Sequence, residues 1–273
     1  MTKKIPENHP RAESLKLRHK LTEAMHKNVV AEAGLIAAGR GEAFDYLIGE
    51  KTISPALKAI EAATAVMLLA KTPIISVNGN VAAIAAEDAV KVSKALPAQL
   101  EINLFYYRPE RVQAIEQKLQ EAGAKAILKP EPHGQRVPGL SSDRAIVNSQ
   151  GISKADVILV PLEDGDRTEA LRRLDKTVVS IDLNPLSRTA QYSTITIVDN
   201  VVRVFPVMLK MISRLKELKK EDLRKIVSRF DNRENLQETL SFIRDRLTHL
   251  AEIGIFNEFD PYNQNKSGTA KNV

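Results

Sequence analysis

Arg40 lies between two glycines in the stretch Gly34-Leu35-Ile36-Ala37-Ala38-Gly39-Arg40-Gly41-Glu42-Ala43-Phe44-Asp45-Tyr46. Glycine on either side lets backbone approach a ligand closely, and a guanidinium held there can clamp a phosphate through two parallel N–H donors. Upstream, His9-Pro10-Arg11-Ala12-Glu13-Ser14-Leu15-Lys16-Leu17-Arg18 puts Arg11, Ser14 and Arg18 on one helical face. The competing reading of each is a solvated arginine, the usual state of that residue.

A second constellation is Ile181-Asp182-Leu183-Asn184-Pro185-Leu186-Ser187-Arg188-Thr189. Asp182 ends an apolar run, where a carboxylate can grip ribose hydroxyls or a magnesium ion. The spacing predicts Asn184 as the cap of a helix opening at Pro185, with Arg188 and Thr189 on its first turn facing phosphate oxygens. Asp199-Asn200 repeats the pattern of a strand ending in a polar pair before a helix. Asn78-Gly79-Asn80 does so after the first strand and before a small-residue helix, whose free N–H groups suit an anion. The plain alternative for both is ordinary turn and cap chemistry. The sequence contains neither G-x-G-x-x-G nor G-x-x-x-x-G-K-[ST].

His133-Gly134-Gln135-Arg136, Ser141-Ser142-Asp143-Arg144 and Glu163-Asp164-Gly165-Asp166-Arg167 supply further polar loops. His133 is a candidate base or phosphate ligand, weighed against an exposed loop histidine, and His133 and Arg144 are the candidates for a catalytic role. No cysteine is present, which excludes thiolate catalysis, disulfides and zinc–thiolate sites. The five histidines follow no metal-binding spacing, so a metal is expected as magnesium arriving with a nucleotide.

The elements that must position these residues come in three textures. Over 1–70 the pattern is helical: Leu17, Leu21 and Met25 share a face, a second helix covers Val29–Ala37 and ends near Gly39-Arg40-Gly41, and a third runs from Ser54-Pro55 to Leu69. Over 71–200 strands at Pro73–Val77, Leu100–Tyr106, Ala124–Leu128, Val157–Pro161, Val178–Leu183 and Thr194–Val198 alternate with helices at Val81–Ala95, Pro109–Ala122 and Thr168–Leu174. That rhythm predicts an α/β fold, a Rossmann-like, mostly parallel sheet flanked by helices, with ligands beyond the strands' carboxyl ends. Lys129–Gly151 breaks the rhythm and reads as a functional loop with a short helix near Asp143–Asn148.

Residues 201–262 are helical again, with Val204, Met208, Met211, Leu215 and Leu218 in register. Leu236, Leu240, Ile243, Leu247 and Leu250 form a coiled-coil-like seam, expected against the chain's own core rather than a second subunit. Residues 263–273 are expected to be a frayed tail.

The 273 residues are 43% hydrophobic and 27% charged, enough for a packed core. Forty basic against 34 acidic residues give +6, which suits an anionic partner or a plain basic surface. No apolar run spans a membrane and Met1–Pro10 is polar, so a cytoplasmic protein is expected. Two other functional classes stay open at this point. An NAD(P)-dependent dehydrogenase lacks its glycine fingerprint. A nucleic-acid-binding protein would use Lys210–Arg229, but that run carries Glu217, Glu221 and Asp222 and no interleaved aromatics, so nucleic acid is not expected as a partner.

The stretches HPRAESLKLR (9–18), GLIAAGRGEAFDYLIGE (34–50), SVNGNVAA (76–83), LSSDRA (140–145), PLEDGDRTEAL (161–171) and IDLNPLSRTAQ (181–191) together resemble the archaeal phosphopantothenate synthetases, also called 4-phosphopantoate–β-alanine ligases. The resemblance implies a Rossmann-like homodimeric ligase that uses ATP and Mg2+ to join 4-phosphopantoate to β-alanine, giving 4′-phosphopantothenate, AMP and diphosphate on the way to coenzyme A. It further implies a nucleotide site of Arg18, Arg40, Asp182, Leu183, Asn184, Arg188, Thr189, Asp199 and Asn200. Asn78, Gly79, Asn80, His133, Asp143 and Arg144 are then placed near the phosphopantoate. The chemistry agrees: activating a carboxylate with ATP needs cations and N–H groups around phosphates more than a protein nucleophile.

Overall fold

The computed structural model describes residues 5–9 and 11–253. Pro10 and the tail from Asn263 lie outside the described residues. Six short apolar runs form one sheet: β1 (Pro73–Val77), β2 (Gln99–Ile102), β3 (Ile127–Leu128), β4 (Val157–Pro161), β5 (Thr177–Ile181) and β6 (Ile195–Ile197). Every pairing is parallel and the strand order is β3-β2-β1-β4-β5-β6. The chain runs outward one way from β1 and returns to start the other half at β4, so the strand order reverses between β1 and β4. In an open parallel sheet that reversal opens a crevice at the carboxyl ends.

β1 and β4 are buried along their whole length, as predominantly apolar runs with both faces covered must be. Alternation sends Ile75, Val77, Leu100, Ile102, Leu159, Val179, Ile181 and Ile197 to one face. There they meet α3 (Ser54–Leu69), α4 (Gly79–Ala95) and α8 (Val201–Leu215). Ile74, Ile158, Val160 and Val178 point the other way, onto α6 (Gly165–Arg173) and onto Val137, Val147 and Ile152. That second face is therefore covered partly by the long β3–β4 connection, which contains only a 3-10 turn over Asp143–Ala145. α5 (Pro109–Glu121) connects β2 to β3, and α7 (Arg188–Tyr192) connects β5 to β6. α9 (Lys220–Ser228) packs by Leu223 against Ala65 of α3 and Leu215 of α8.

Several boundaries differ from the sequence expectation. The largest difference is α2 (Glu32–Ile48), which begins after Val29 and continues straight through Gly39-Arg40-Gly41. It stops only at Gly49, whose φ of 80° is the left-handed conformation a helix C-terminus uses. β2 stops at Ile102, leaving Phe105 and Tyr106 exposed, and β3 keeps two residues. α6 opens at Gly165 rather than Thr168, because Asp164 accepts a hydrogen bond from the Arg167 amide and caps it. α7 opens at Arg188 rather than Pro185: Ser187 Oγ accepts from the Ala190 amide and is the cap, while Asn184 Oδ1 accepts from the Leu186 amide within the preceding turn.

α1 (Ala12–His26) turns Leu21 inward as expected. On α10 (Asn232–Ile253) the leucine seam divides. Leu236 packs on Ala190 and Val198 and Ile243 joins the main core, whereas Leu240 and Leu247 remain 37% and 44% exposed. Among the described residues no helix is long and apolar enough to cross a membrane.

Candidate functional site at the carboxyl edge of the sheet

The crevice has a roof, which is α2. Asn80, after β1, donates its side-chain amide to the Gly34 carbonyl at 2.9 Å. A Cβ on Gly41 would meet Leu183, after β5, at 3.5 Å. Asn200, after β6, donates to Asp45 Oδ2 at 3.1 Å. From Gly34 to Asp45 the helix rises about 16 Å, and β1 to β6 spans three strand spacings, about 14 Å. α2 thus lies across the carboxyl ends of β1, β4, β5 and β6, which places Arg40 over the β4–β5 side of the crevice.

Tight polar turns form the floor. Asn78 donates its side-chain amide to the carbonyls of Pro161 and Leu162, both at 3.0 Å, and accepts from the Val81 amide at 3.1 Å. Its side chain thereby ties the end of β1 to the end of β4. Leu162 sits at φ 55°, a left-handed strain that a non-glycine residue keeps only where the surroundings enforce it. Thr189 Oγ1 donates to the Glu163 carbonyl at 3.0 Å. A Cβ on Gly165 would fall 2.4 Å from Arg188 Cβ, so the turns after β4 and β5 are in direct contact. Gly79 is equally constrained, with the Val29 carbonyl oxygen 2.2 Å from where its Cβ would stand.

Asp182 is recessed at the end of β5. It accepts from the Asn184 amide at 2.9 Å and from the Ser187 hydroxyl. Burial pushes its carboxyl up, while those two donors and the positive field of Arg40 pull it back down. Arg40 has no ion-pair partner among the described residues. The other arginines expected in the nucleotide site are occupied. Arg18 makes a forked pair with Glu42 at 2.9 and 2.7 Å, and Tyr46 donates its hydroxyl to the same carboxylate at 2.6 Å. Those donors hold Glu42 below the usual carboxylate range, the Arg18 hydrogen bond most strongly. Arg188 is held at the surface by Asp166 and Glu169.

Asp199 is wholly buried and accepts from Thr52, from the Asn200 amide and from Arg203. Asn200 Oδ1 accepts from the Val202 amide, capping α8. The side chains of Asn78, Thr189, Asp199 and Asn200 are therefore engaged in holding the crevice together, and the surface they offer a ligand is mainly backbone.

The long loop behaves differently. Arg144 is buried, pairs through Nε with Glu163 at 2.9 Å and Asp164 at 3.1 Å, and donates to the Asn103 carbonyl at 3.0 Å. It locks the loop beneath the crevice. Asp143 accepts from the Tyr107 amide at 2.9 Å. His133 stands on an exposed stretch beside Lys129, Glu131 and Asn148. Its side chain makes no hydrogen bond or ion pair with another described residue. The loop is rooted at β3, about 19 Å of strand spacing from β5. The structure therefore groups Arg40, Asp182 and Leu183 over one end of the crevice and builds Arg144 into its foundation, but does not bring His133 to either.

Four residues given no role from sequence complete the arrangement: Glu42, Asp45, Asn103 and Arg203. Only the i, i+4 spacing of Asp199 and Arg203 hinted at any of them.

A family model for phosphopantothenate/pantothenate synthetase matches residues 55–246. The 4-phosphopantoate–beta-alanine ligase of Thermococcus kodakarensis is 54% identical over 252 residues, covering 92% of this chain and 97% of that protein. The protein of the same name from Thermococcus onnurineus is 52% identical, over 93% of this chain and 97% of its own length. That from Methanosarcina mazei is 47% identical, over 92% and 98%.

Proposed function

The chain belongs to the phosphopantothenate/pantothenate synthetase family, and we propose that it joins 4-phosphopantoate to β-alanine at the roofed crevice, using ATP and releasing AMP and diphosphate. In the first step a carboxylate oxygen of phosphopantoate attacks the α-phosphorus of ATP, and the bond to the β-phosphate oxygen breaks with diphosphate leaving. In the second step the β-alanine amine attacks the activated acyl carbon. AMP departs with the electrons of the C–O bond, and the amine proton passes to solvent or a base. Neither step needs a protein nucleophile, and the demand on the chain is for fixed positive charge and exclusion of water.

The observation that carries this reading is Arg40, a cation without an ion-pair partner among the described residues, standing over Asp182 at the end of β5, one strand from the β1–β4 reversal. Arg40 would meet phosphate oxygens, and Asp182 would take ribose hydroxyls or a magnesium ion carried by the triphosphate. A metal that arrives with its nucleotide fits the carboxylate of Asp182 at the end of β5, because magnesium commonly binds through one carboxylate plus substrate phosphates. The basic excess of the chain favours anionic substrates of this kind.

A homodimer is part of the same proposal, supported by apolar side chains left on the surface: Ile36 on α2 and Leu240, Leu247 and Ile253 on α10. Light scattering coupled to size exclusion should return about twice 30.2 kDa.

The activity is tested by incubating the protein with ATP, magnesium, β-alanine and 4-phosphopantoate and resolving the nucleotides formed. AMP in step with phosphopantothenate, and only when both acids are present, is the expected result. ADP would replace the adenylate by an acyl phosphate. Unchanged ATP would overturn the assignment.

A further inference from the structure

We infer that Asp45 and Arg203 are positioning residues for nucleotide binding: their buried ion pair, shared with Asp199, pins α2 and thereby sets where Arg40 and Arg18 stand. The inference rests on the nucleotide reading of the crevice.

α2 is weakly seated for a helix of 17 residues, since only Asp45 and Ile48 are buried along it. Ile36, toward its N-terminal end, is 73% exposed. At that end the hydrogen bond from Asn80 to the Gly34 carbonyl is the polar tie to the floor. At the other end Arg203, from α8, donates through Nη1 and Nη2 to the two oxygens of Asp45 at 3.1 and 2.5 Å. The same guanidinium donates through Nε to Asp199 Oδ1 at 2.7 Å. Asn200 adds its amide to Asp45, and Thr52 donates to the far oxygen of Asp199 at 2.6 Å. One guanidinium therefore joins α2 to the end of β6 through a planar fork that tolerates one orientation, and Asp199 extends the tie to Thr52 in the loop before α3.

The location of the carboxylate argues that the tie has a purpose beyond helix stability. Asp45 falls in the last turn of α2, where the helix dipole disfavours negative charge. A buried carboxylate there needs its partner, and the fork makes the pair directional. Asp45 also sits three residues from Glu42, the anchor of Arg18, and five from Arg40, about 7 Å along the axis. Arg40 has no ion pair of its own among the described residues, so its position is inherited from the helix. Losing the pin would let α2 swing about its tie to Asn80 and would displace Arg40 and the Glu42 anchor of Arg18 together.

The test is a coupling measurement on the full chain. Arg203→Ala should weaken ATP binding, read by calorimetry, about tenfold while leaving the KM for β-alanine unchanged and the far-UV circular dichroism intact. Arg203→Lys, which keeps one charge but loses the fork, should fall between. Asp45→Asn should resemble Arg203→Ala, and it carries the test if the alanine variant does not fold. Arg40→Ala should weaken ATP binding on its own, and adding Arg203→Ala to it should cost less than Arg203→Ala costs in the wild type, the remainder acting through Arg18. Losses that multiply, a β-alanine KM that rises equally, or Arg203 variants that bind ATP normally would each overturn the positioning role while leaving the crevice reading in place. Normal ATP affinity in Arg40→Ala would overturn that reading and the inference with it.

Discussion

Arg167 and Glu163 form an ion pair with neither side chain exposed to solvent, across the turn that opens α6. Arg167 also donates to Ser76 of β1 at 3.1 Å, and Glu163 receives Arg144 from the long loop. Ser76 is in register with Glu101 of β2, whose buried carboxyl faces the same guanidinium. Five charged side chains, Glu101, Glu163, Asp164, Arg144 and Arg167, thus lie together under the crevice. Three are acids and two are bases, so the cluster is neutral only when one carboxyl holds a proton.

The pair sets the first expectation. Removing one partner of a buried ion pair leaves a charge that cannot return to water, at a cost of about 3–5 kcal/mol. Arg167→Met should lower the unfolding free energy by that amount in urea titrations. Arg167→Met combined with Glu163→Gln should recover part of it, since the excess of buried carboxylate over guanidinium is reduced. A single variant within 1 kcal/mol of wild type would mean that the pair does not hold the turn.

Burial drives Glu101, like Glu163, toward its protonated form. The Glu101 carboxyl is pushed to about 7, against the opposing pull of the Asn148 and Ile152 amides and of Arg167. Unfolded, a glutamate titrates near 4.3. With the folded value raised, the contribution to stability is complete below pH 4 and is lost as pH climbs through 7, by about 4 kcal/mol in all. Unfolding free energies at pH 5, 6, 7 and 8 should therefore fall in wild type relative to Glu101→Gln. The variant lacks that slope, although its amide N–H faces one of the two backbone donors and lowers its stability throughout. Parallel profiles for the two proteins would exclude Glu101 as the titrating group.

The parts of this architecture that were legible in the sequence are local. Ile74 to Val77 and Val157 to Val160 announce buried strands because short runs dominated by Ile and Val and bounded by turns have few other solutions. Asn78, Asp182 and Asn200 announce the carboxyl edge because strand–polar–helix junctions place them there. The misreading of α2 has a physical cause. Glycine argues for a helix end, and three glycines in eight residues outweighed the pattern, yet Gly34 is small because the Asn80 side chain packs against it, not because the helix stops. What no local pattern carries is pairing across the chain: Asp45 with Arg203, Glu101 with the amides of Asn148 and Ile152, and Arg144 with Glu163. Each reads singly as one more surface charge, and burial becomes visible only with the partner in place.

Arg188 yields a third expectation. Its guanidinium is engaged by Asp166 and Glu169, both on α6, and lies 5.8 Å from the Tyr192 ring centroid. A phosphate must compete with those carboxylates for it. Glu169→Gln should lower the KM for ATP two- to threefold and weaken its dependence on added salt, because one competitor is removed. A raised KM would show that Glu169 orients Arg188 rather than competing for it.

The glycines of α2 separate the architectural from the functional. A Cβ on Gly34 would stand 2.6 Å from Asn80 Oδ1 and 3.1 Å from Val30, so Gly34→Ala must either push the Asn80 side chain off its bond to the roof or displace the roof. On Gly39 a Cβ meets nothing within 4 Å, and Gly39 is interior to the helix. Within the chain alone Gly39→Ala is favourable: it removes the extra freedom glycine has when unfolded and should stabilise by about 0.5–1 kcal/mol, raising Tm by about 2 °C. If phosphate approaches the backbone beside Arg40, the open space over Gly39 belongs to the ligand. The methyl should then raise the KM for ATP several-fold in a protein that is more stable than wild type. Higher Tm with unchanged KM would place the nucleotide elsewhere along α2, and lower Tm would mean that the space is filled by a contact with another subunit.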